Sequence, residues 1–553
     1  MTRIHLKPVL ILLGLSYIFF MLGNSFLSLT IPDEVFYAQT AKEMVQHKTW
    51  MTPFLFGAPQ FEKPIFIYWL LRLGFLFFGV SSFSARLFPA FFATLGVIAV
   101  YLLGLIGFKN QKKAFISALV LASGGLYIGL ARTVFTDMVF SVFILFSLAA
   151  FYWAYVRPER KALGILLFFV FSALAVLSKG PLGFIIPFLV IVVFLAVRKE
   201  LFFLFCKATF WGLLIFAALS LPWYILMIQK YGSSFIQEFF YNDHIRRLIE
   251  AEHISNDTWY FYPASMIGVV YPWSLYTLLG LFFLVRHLKR GPEPMNLFLA
   301  IWIGVTFLIF QPAHSKLISY IFPFFPALAL VTGEFICNTI SQKKGLRALI
   351  IISLITLFSI LVMAAGLFFN MERAAVYLPS KTPIYILLSL LLLFALVFAW
   401  LLARKKYMQM VIFLSFLLPM VIALTPLVSK DIEPYASSKT VSEYLLNNYK
   451  VEGPILCSKF FARGVRYYTD MEVAVIDTPA INFFSPHPIP FLNTEEKIFN
   501  YLKAHPNLYC ILKKGSVEKI HLVGDGHFKI TQLKQIANVY LMKVEPLDRA
   551  KAR

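Results

Sequence analysis

The sequence predicts a polytopic α-helical membrane protein with about thirteen transmembrane helices, followed by a small soluble α/β domain. Of the 553 residues, 59% are hydrophobic and only 14% are charged, and the mean hydropathy is +0.75. This composition excludes a soluble globular enzyme. After residue 428, long apolar runs give way to short ones separated by turns, and this change predicts the second domain.

Each predicted span is an apolar run close to the roughly 20 residues that a helix needs to cross a bilayer core. The first run follows basic residues, as in a signal peptide, but it is too long and lacks a small-residue cleavage site. We therefore expect it to be retained. The predicted spans are 8–29, 84–107, 114–131, 138–156, 162–178, 182–197, 208–228, 264–285, 295–311, 317–338, 348–369, 384–403 and 408–428.

Basic residues predict the orientation. They form short clusters at every second junction between spans, for example at 109–113, 198–199 and 404–406, which is the positive-inside pattern. We expect a multi-pass protein of the bacterial inner membrane with a cytoplasmic N-terminus. Loops 30–83 and 229–263 and the C-terminal domain are then periplasmic.

The net charge of +22 follows from these clusters. No basic and aromatic groove motif accompanies it, so the pattern excludes nucleic acid as a partner. We expect the protein to lie in the lipid bilayer and to be a monomer.

Residues 65–78 are apolar but short. We expect an amphipathic helix in the membrane interface. If this segment spanned instead, every later basic cluster would move to the outer face.

We expect two domains, a transmembrane domain over 1–428 and a periplasmic α/β domain over 429–553. In the second, strand-like runs such as 454–458, 473–476 and 509–512 alternate with helix-like stretches. It contains no glycine-rich phosphate loop. Cys457 and Cys510 both lie in it, and the sequence leaves open whether they pair or remain two buried thiols.

Two clusters of charge lie in the first outer loop. Asp33 and Glu34 follow Pro32 where the first span ends. The pair fits either the capped start of a helix or a general base at the membrane surface. Glu62 and Lys63 fit either a surface ion pair or part of a site that binds a phosphate and a sugar.

Further polar residues lie near the ends of other spans. Asp137 is close in sequence to Arg132, so a site residue and a structural ion pair are both open for it. Lys179 fits either a site residue or a lysine that snorkels to the membrane surface. Tyr320 fits a hydrogen bond to phosphate or an interfacial aromatic position.

The loop around residue 244 is rich in ligand-type groups. His244 is a candidate metal ligand, although a lone histidine in a polar loop usually is not one, and Arg246 and Arg247 fit phosphate or carboxylate recognition. The topology assigns all these polar clusters to the same side of the membrane. This coincidence favours one outward-facing active site.

These residues resemble the motifs of a known family. The chain resembles the bacterial lipid A aminoarabinose transferases and the related protein O-mannosyltransferases, which are GT-C glycosyltransferases, over roughly residues 1–335. The motifs are Pro32-Asp33-Glu34-Val35-Phe36-Tyr37, Phe61-Glu62-Lys63-Pro64 through Tyr68-Trp69, Thr136-Asp137-Met138, Ser178-Lys179-Gly180, Asn242-Asp243-His244-Ile245-Arg246 and Lys316 through Tyr320 to Pro323.

The resemblance implies a GT-C fold and a polyprenyl-phosphate-linked sugar, such as an undecaprenyl-phosphate sugar, as donor. An outward-facing site also has no nucleotide sugars. The acceptor is lipid A or another envelope molecule, and the sugar is transferred with inversion. The implied catalytic residues are Asp33, Glu34 and Asp137, and the implied donor or phosphate-binding residues are Lys63, Lys179, Arg246, Tyr320, Tyr37 and Tyr68.

In some relatives, positions matching Glu62 and His244 hold zinc. The resemblance therefore makes zinc the candidate cofactor, although catalysis need not depend on it. The family's usual Glu-His-Phe reads Asp243-His244-Ile245 here, which weakens any expectation of identical specificity.

Two other functions remain open. One is a protein O-mannosyltransferase that uses polyprenyl-phospho-mannose. The other is a transporter or flippase for lipid-linked substrates, which typically has inverted repeats and charges near the membrane midplane. The charges of this chain cluster at one face, which disfavours the transporter.

Overall fold

The computed structural model describes residues 6–251, 254–289, 291, 293–476 and 488–547. The chain divides into two compact units. Unit one contains the residues up to Asn24, residues 61–67 and Arg86–Thr425. Unit two contains Ser25–Gln60, Tyr68–Ala85 and the residues from Pro426 onward. The domain boundary at 428/429 stays a prediction.

Helices form most of the described chain. In chain order they are α1 (Leu6–Ser16), α2 (Asp33–Gln46), α3 (Phe66–Phe78), α4 (Ser82–Phe108), α5 (Gln111–Ala122), α6 (Gly125–Ala131), α7 (Thr136–Val156), α8 (Lys161–Lys179), α9 (Leu182–Arg198), α10 (Lys207–Tyr231), α11 (Ser233–Phe235), α12 (Arg246–Ile249), α13 (Phe261–Val269), α14 (Ser274–Leu288), α15 (Pro294–Phe310), α16 (Phe325–Gln342), α17 (Leu346–Phe369), α18 (Met371–Ala374), α19 (Thr382–Ala403), α20 (Tyr407–Leu414), α21 (Leu417–Ile422), α22 (Thr425–Ala436), α23 (Lys439–Asn448), α24 (Ala462–Thr469), α25 (Glu495–Ala504) and α26 (Lys514–Gly524).

A multi-span membrane protein is confirmed, but the number of thirteen spans is not. Within the described residues, seven helices are long and apolar enough to cross a membrane, and up to nine if two bent pairs each count as one span. One bent pair is α5 and α6, with an angle of 65° between them, and the other pair is α20–α21 with α22. Several other predicted spans coincide with apolar helices of 10–17 residues, such as α9 and α15.

The first predicted span, residues 8–29, is shorter in the structure. Its α-helix continues as a π-helical segment, Tyr17–Met21, and ends there. Leu22 is extended and Gly23 has a φ of +68°, so the helix cannot continue. The segment 65–78 forms α3, whose 13 residues are too few to span. Its location in the membrane interface stays a prediction.

Small residues allow the helices of unit one to pack closely. A Cβ on Gly333 of α16 would lie 2.6 Å from the backbone nitrogen of Ser117 on α5. A Cβ on Gly164 of α8 would lie 2.6 Å from the Cβ of Ala154 on α7. Small residues are the usual device for close approach between membrane helices, where the hydrophobic effect provides little attraction.

We predict that Gly333→Val lowers the thermal midpoint of the purified protein, because the added atoms force α5 and α16 apart. Overpacking of this kind costs about 1–3 kcal/mol. Gly304→Val on α15 is the matched control, since a Cβ there meets no atom within 4 Å. Equal midpoints for the two variants in the same detergent would contradict the close helix contact.

Unit two contains a five-stranded sheet of β3 (Ile455–Cys457), β4 (Val473–Val475), β5 (Leu508–Leu512), β6 (Phe528–Ile536) and β7 (Val539–Pro546), after a short hairpin of β1 (Phe54–Leu55) and β2 (Ala58–Pro59). The strand order is β4-β3-β5-β7-β6, with β3 parallel to β4 and β5, and β7 antiparallel to both of its neighbours. The predicted α/β region is therefore confirmed.

The cysteines of this sheet do not pair. Cys510 lies opposite Leu456 in the register of β3 and β5, one residue away from Cys457. Since successive side chains in a strand point to opposite faces, the two thiols lie in different apolar clusters; both are buried and neither is part of a disulfide. Of the two alternatives left open by the sequence, the structure has the buried thiols.

Candidate active site

In unit two, α2 begins with the two predicted carboxylates. Glu34 is fully buried, and its Oε2 accepts hydrogen bonds from the backbone nitrogen of Thr30 at 2.9 Å and from the Thr30 hydroxyl at 2.8 Å. Glu34 thereby fixes the turn that leads into the helix. Asp33 is exposed in the first turn, where the helix dipole favours a negative charge.

Two predicted tyrosines lie close to this helix start. Tyr37 is one turn beyond Asp33, so the two residues share a face of α2. Its ring centroid lies 6.3 Å from that of Tyr68, whose hydroxyl accepts a hydrogen bond from Gln60 Nε2 at 2.7 Å. Tyr37 and Tyr68 are both buried.

Near the other end of α2 lies a buried carboxylate that the sequence did not single out. Glu43 is 1% exposed, and its oxygens accept from the backbone nitrogens of Phe56 at 3.0 Å and Gly57 at 2.9 Å. The side chain of Gln39 donates to it at 2.6 Å, and Nε of Arg466 lies 3.6 Å away. Glu43 therefore links α2 to the β1–β2 hairpin and to α24.

In unit one, Asp243 brings predicted cations together. The ammonium of Lys63 donates to both carboxylate oxygens of Asp243, at 2.8 and 2.9 Å, and Arg247 lies 3.3 Å from the same carboxylate. The side chains of Lys63 and Asp243 are 10% and 9% exposed. Burial alone would raise the pKa of Asp243, but Lys63 and Arg247 outweigh it and hold that pKa below its usual value.

The contacts continue from Arg247 to three further predicted residues. Arg247 donates to the hydroxyl of Tyr320 at 3.2 Å. The Lys179 ammonium lies 5.0 Å from the centroid of the Tyr320 ring and forms an ion pair with Asp137 at 2.5 Å. We call the set Lys63, Asp243, Arg247, Tyr320, Lys179 and Asp137 the cation network.

The cation network contains five residues that the sequence singled out, and Asp243 joins them as the carboxylate that the sequence did not assign to the site. The spacing of Asp243 and Arg247, four residues apart, could have indicated an ion pair if a helix had been expected there. The predicted Arg246 donates through Nε to Glu250 at 2.7 Å, whereas Arg247 is the arginine that pairs with Asp243.

The structure describes the surroundings of His244, one of the two predicted zinc ligands. His244 Nδ1 lies 2.7 Å from the Phe239 carbonyl oxygen, and its Nε2 packs against Gly180, 2.6 Å from where a Cβ would lie. Within the part of the chain that the structure describes, no three His, Cys, Asp or Glu side chains group around a common point. Zinc binding by Glu62 and His244 stays a prediction from the resemblance, and no step proposed below uses a metal.

Burial shifts the pKa of two ionisable groups in this loop. It lowers the pKa of His244, which disfavours the imidazolium form. Burial and then the charge of Glu62 raise the pKa of Glu238 to about 7.

Known proteins share this fold. The protein is similar over 97% of its length, and over 97% of the other chain, to the crystal structure of ArnT from Cupriavidus metallidurans bound to undecaprenyl phosphate, with a TM-score of 0.78 and 19% identity. The chain therefore has the GT-C fold of a multi-span membrane protein.

Sequence comparisons identify the family. Residues 10–234 match the family described as "Dolichyl-phosphate-mannose-protein mannosyltransferase". An uncharacterized protein of Aquifex aeolicus is 31% identical over 70% of this chain and 72% of its own. The undecaprenyl phosphate-alpha-4-amino-4-deoxy-L-arabinose arabinosyl transferase 2 of Proteus mirabilis is 29% identical over 64% of this chain and 62% of its own, so the chain spans less than two thirds of that enzyme. The chain belongs to the GT-C membrane glycosyltransferase family that includes the mannosyl and aminoarabinose transferases.

We predict that Asp243→Ala destabilises unit one, because it leaves Lys63 and Arg247 partly buried beside each other without their shared carboxylate. Breaking a fully buried pair costs about 3–5 kcal/mol, and partial exposure should reduce that value. Glu334→Ala is the control, since it removes a similarly shielded carboxylate whose 2.9 Å partner is a single lysine, Lys113. A thermal midpoint for Asp243→Ala at or above that of the control would contradict the role of Asp243 as a hub.

Proposed function

We propose that the protein transfers an aminoarabinose-like sugar from undecaprenyl phosphate to lipid A or another envelope acceptor, with inversion at the anomeric carbon. We propose further that the reaction takes place at the periplasmic face of the inner membrane, with the N-terminus in the cytoplasm. The cation network carries this proposal, because its buried cations suit a lipid phosphate. Relatives named as undecaprenyl phosphate aminoarabinose transferases support the same donor class.

The cation network is suited to a leaving phosphate. As the bond between the sugar and the phosphate breaks, negative charge grows on the phosphate oxygens, and fixed cations stabilise that charge. Lys63, Arg247 and Lys179 are held in place before any ligand arrives, because Asp243 and Asp137 pair with them. Such cations need little reorganisation during the reaction. The Tyr320 hydroxyl would add a hydrogen bond to the phosphate.

Asp33 is the proposed catalytic carboxylate. It is exposed at the start of α2, whereas its neighbour Glu34 is fully buried and bonded to Thr30. Asp33 would hold the acceptor oxygen in line with the anomeric carbon and take its proton where that oxygen carries one. Glu34 would support Asp33 by shaping the turn that precedes it. Tyr37 and Tyr68 would flank the same helix start as substrate contacts.

The atoms balance in a single displacement. The acceptor oxygen forms a bond to the anomeric carbon while the bond from that carbon to the phosphate oxygen breaks. The electron pair of the broken bond stays on undecaprenyl phosphate, and any acceptor proton goes to the Asp33 carboxylate. Attack opposite the leaving group inverts the anomeric carbon.

A reconstituted reaction tests the proposal. The full-length protein in nanodiscs would receive undecaprenyl-phospho-aminoarabinose with lipid A, or polyprenyl-phospho-mannose with an acceptor peptide, and mass spectrometry would identify the products. We expect glycosylated lipid A and released undecaprenyl phosphate in the first reaction. Release of undecaprenyl phosphate without glycosylated lipid A would overturn the lipid A proposal.

Protein O-mannosyl transfer is the second candidate, because the family description matched by residues 10–234 names a protein mannosyltransferase. Mannosylated peptide as the only product would favour it. Movement of lipid-linked sugar across the bilayer with no transfer in either reaction would favour a flippase.

We predict that Asp33→Asn lowers kcat by about 10²–10⁴-fold, which is the usual contribution of a general base, without lowering the thermal midpoint. Glu34→Gln, the same change at the adjacent residue, weakens the bonds to Thr30 that hold the turn before Asp33. It should lower the midpoint and lower the turnover of folded molecules by a smaller factor than Asp33→Asn does. Near-normal turnover by Asp33→Asn would refute the assigned role of Asp33.

We predict that Lys63→Ala abolishes the thermal stabilisation that undecaprenyl phosphate gives the wild-type protein, because the phosphate loses a fixed cation. Lys113→Ala is the matched control, since it also removes a shielded lysine from a 2.9 Å ion pair, with Glu334, outside the cation network. The control should have a lower basal midpoint but an unchanged ligand-induced shift. A normal shift in Lys63→Ala would remove Lys63 from the phosphate site.

A further inference from the structure

In unit two, a short helix of the C-terminal region packs along α2, the helix that begins with Asp33. This helix is α24, Ala462–Thr469, and it joins β3 to β4 on one face of the sheet. The residues of α24 and those directly after it contact α2 near its start and in its last two turns.

At the end of α2, the contacts are polar. The Lys42 ammonium donates to the Tyr467 carbonyl at 2.8 Å and to Oδ2 of Asp470 at 2.8 Å. The side-chain amide of Gln46 donates to Oδ1 of the same aspartate at 3.2 Å. Asp470 is 55% exposed, so these ion-pair contacts fix a geometry more than they add stability.

In the same last turns of α2, a further contact involves a buried carboxylate. Arg466 lies 3.6 Å from the Glu43 carboxylate, and its Nη1 also donates to the Asp470 carbonyl at 2.8 Å. Because Glu43 is 1% exposed and bonds the backbone of the β1–β2 hairpin, it cannot follow a displaced arginine without leaving those bonds.

At the start of α2, α24 reaches the segment that carries Asp33. The Arg463 guanidinium lies 4.6 Å from the centroid of the Phe36 ring, three residues after Asp33. A Cβ on Gly464 would lie 2.8 Å from a methyl group of Ile31, so the helix backbone touches the residue just before Pro32. The backbone nitrogen of Ile31 donates to the Ala436 carbonyl at 3.1 Å.

We propose that α24 is the positioning element of the proposed catalytic carboxylate, and that Arg463 and Arg466 are its positioning residues. This inference rests on the role of Asp33 proposed above. The contacts near both ends of α2 oppose rotation of the helix and sliding along its axis. The C-terminal domain thereby has a function in catalysis without touching the substrate.

The size of the expected effect follows from the demands of an in-line displacement. A reacting group misplaced by 1 Å can lose about 10²-fold in rate. Loosening α2 should therefore lower kcat, while the Michaelis constant for the donor, which the cation network binds, changes little.

Steady-state kinetics of the full-length protein test the proposal, with undecaprenyl-phospho-aminoarabinose and lipid A as substrates and rates normalised to folded protein. Arg466→Met removes the charge that faces Glu43, and Arg466→Lys keeps it. Gly464→Val forces α24 away from Ile31 and from Ser438 without changing any charge. Lys514→Met on α26 replaces an exposed lysine of the same domain as the control.

We expect Arg466→Met and Gly464→Val to lower kcat by about tenfold or more with the donor Michaelis constant within about twofold of wild type. Arg466→Lys should recover most of the loss, and Lys514→Met should equal wild type. A merely structural role predicts less folded protein and lower midpoints, but normal kcat in the molecules that fold, and that result would overturn the proposal.

Asp33→Asn in the same assay separates the two levels of inference. If Asp33→Asn is inactive and Arg466→Met and Gly464→Val turn over normally, the positioning role fails and the proposed function stands. If Asp33→Asn is active, the proposed catalytic role of Asp33 fails first.

Discussion

A carboxylate removed from water must be paired and hydrogen-bonded, and this requirement shapes both units of the protein. In unit one, the nearly buried Asp243 gathers Lys63 from a distant part of the sequence and Arg247 from the next turn. In unit two, the buried Glu43 carboxylate bonds to Gln39 of its own helix α2 and to the β1–β2 hairpin, and it lies beside Arg466 of α24. Each carboxylate contacts at least one residue that lies far away in the sequence. Neither residue is proposed to touch the reacting atoms.

Pairing of this kind also solves an electrostatic problem. Cations meant for a phosphate repel one another while the site is empty, and each loses solvation when it is buried. Asp243 and Asp137 compensate Lys63, Arg247 and Lys179, so that the cations stay assembled at close range. The cost is competition, because an incoming phosphate must share the donors with the carboxylates. A partly compensated site of this type favours binding that is strong in the transition state and moderate in the ground state.

Apolar run length and charge pattern predicted much of the fold. The membrane class and the α/β region follow from composition, and the strands β3, β4, β5 and β7 follow from short apolar runs between turns. Strand β6 was missed because polar residues such as Lys529, Thr531 and Gln532 interrupt its apolar positions. The number of spans was harder to predict from the sequence. Hydropathy detects the length of an apolar run, but it does not detect the bends that separate α5 from α6 and α21 from α22.

The candidate site was predictable where residues stand in motifs and was missed where they meet through folding. Lys63, Lys179, Asp137 and Tyr320 could be named from the sequence, and the structure adds that they belong to one connected network. Glu43 and Arg466 carry no local pattern, because their importance comes from burial and from a contact between distant segments. Helical phase decides between Arg246 and Arg247, and the π-helical segment Ile236–Ile245 shifts that phase.

Gly180 packs directly against the side chain of His244, and this contact limits which substitutions the two positions accept. Its φ of +104° is one that side chains rarely adopt, and the space beside it is filled by the imidazole of His244. A larger residue at 180 would need both a different backbone after Lys179 and a smaller neighbour at 244. Residue 244 can become smaller while Gly180 stays, but residue 180 cannot gain a side chain unless the backbone and residue 244 both change.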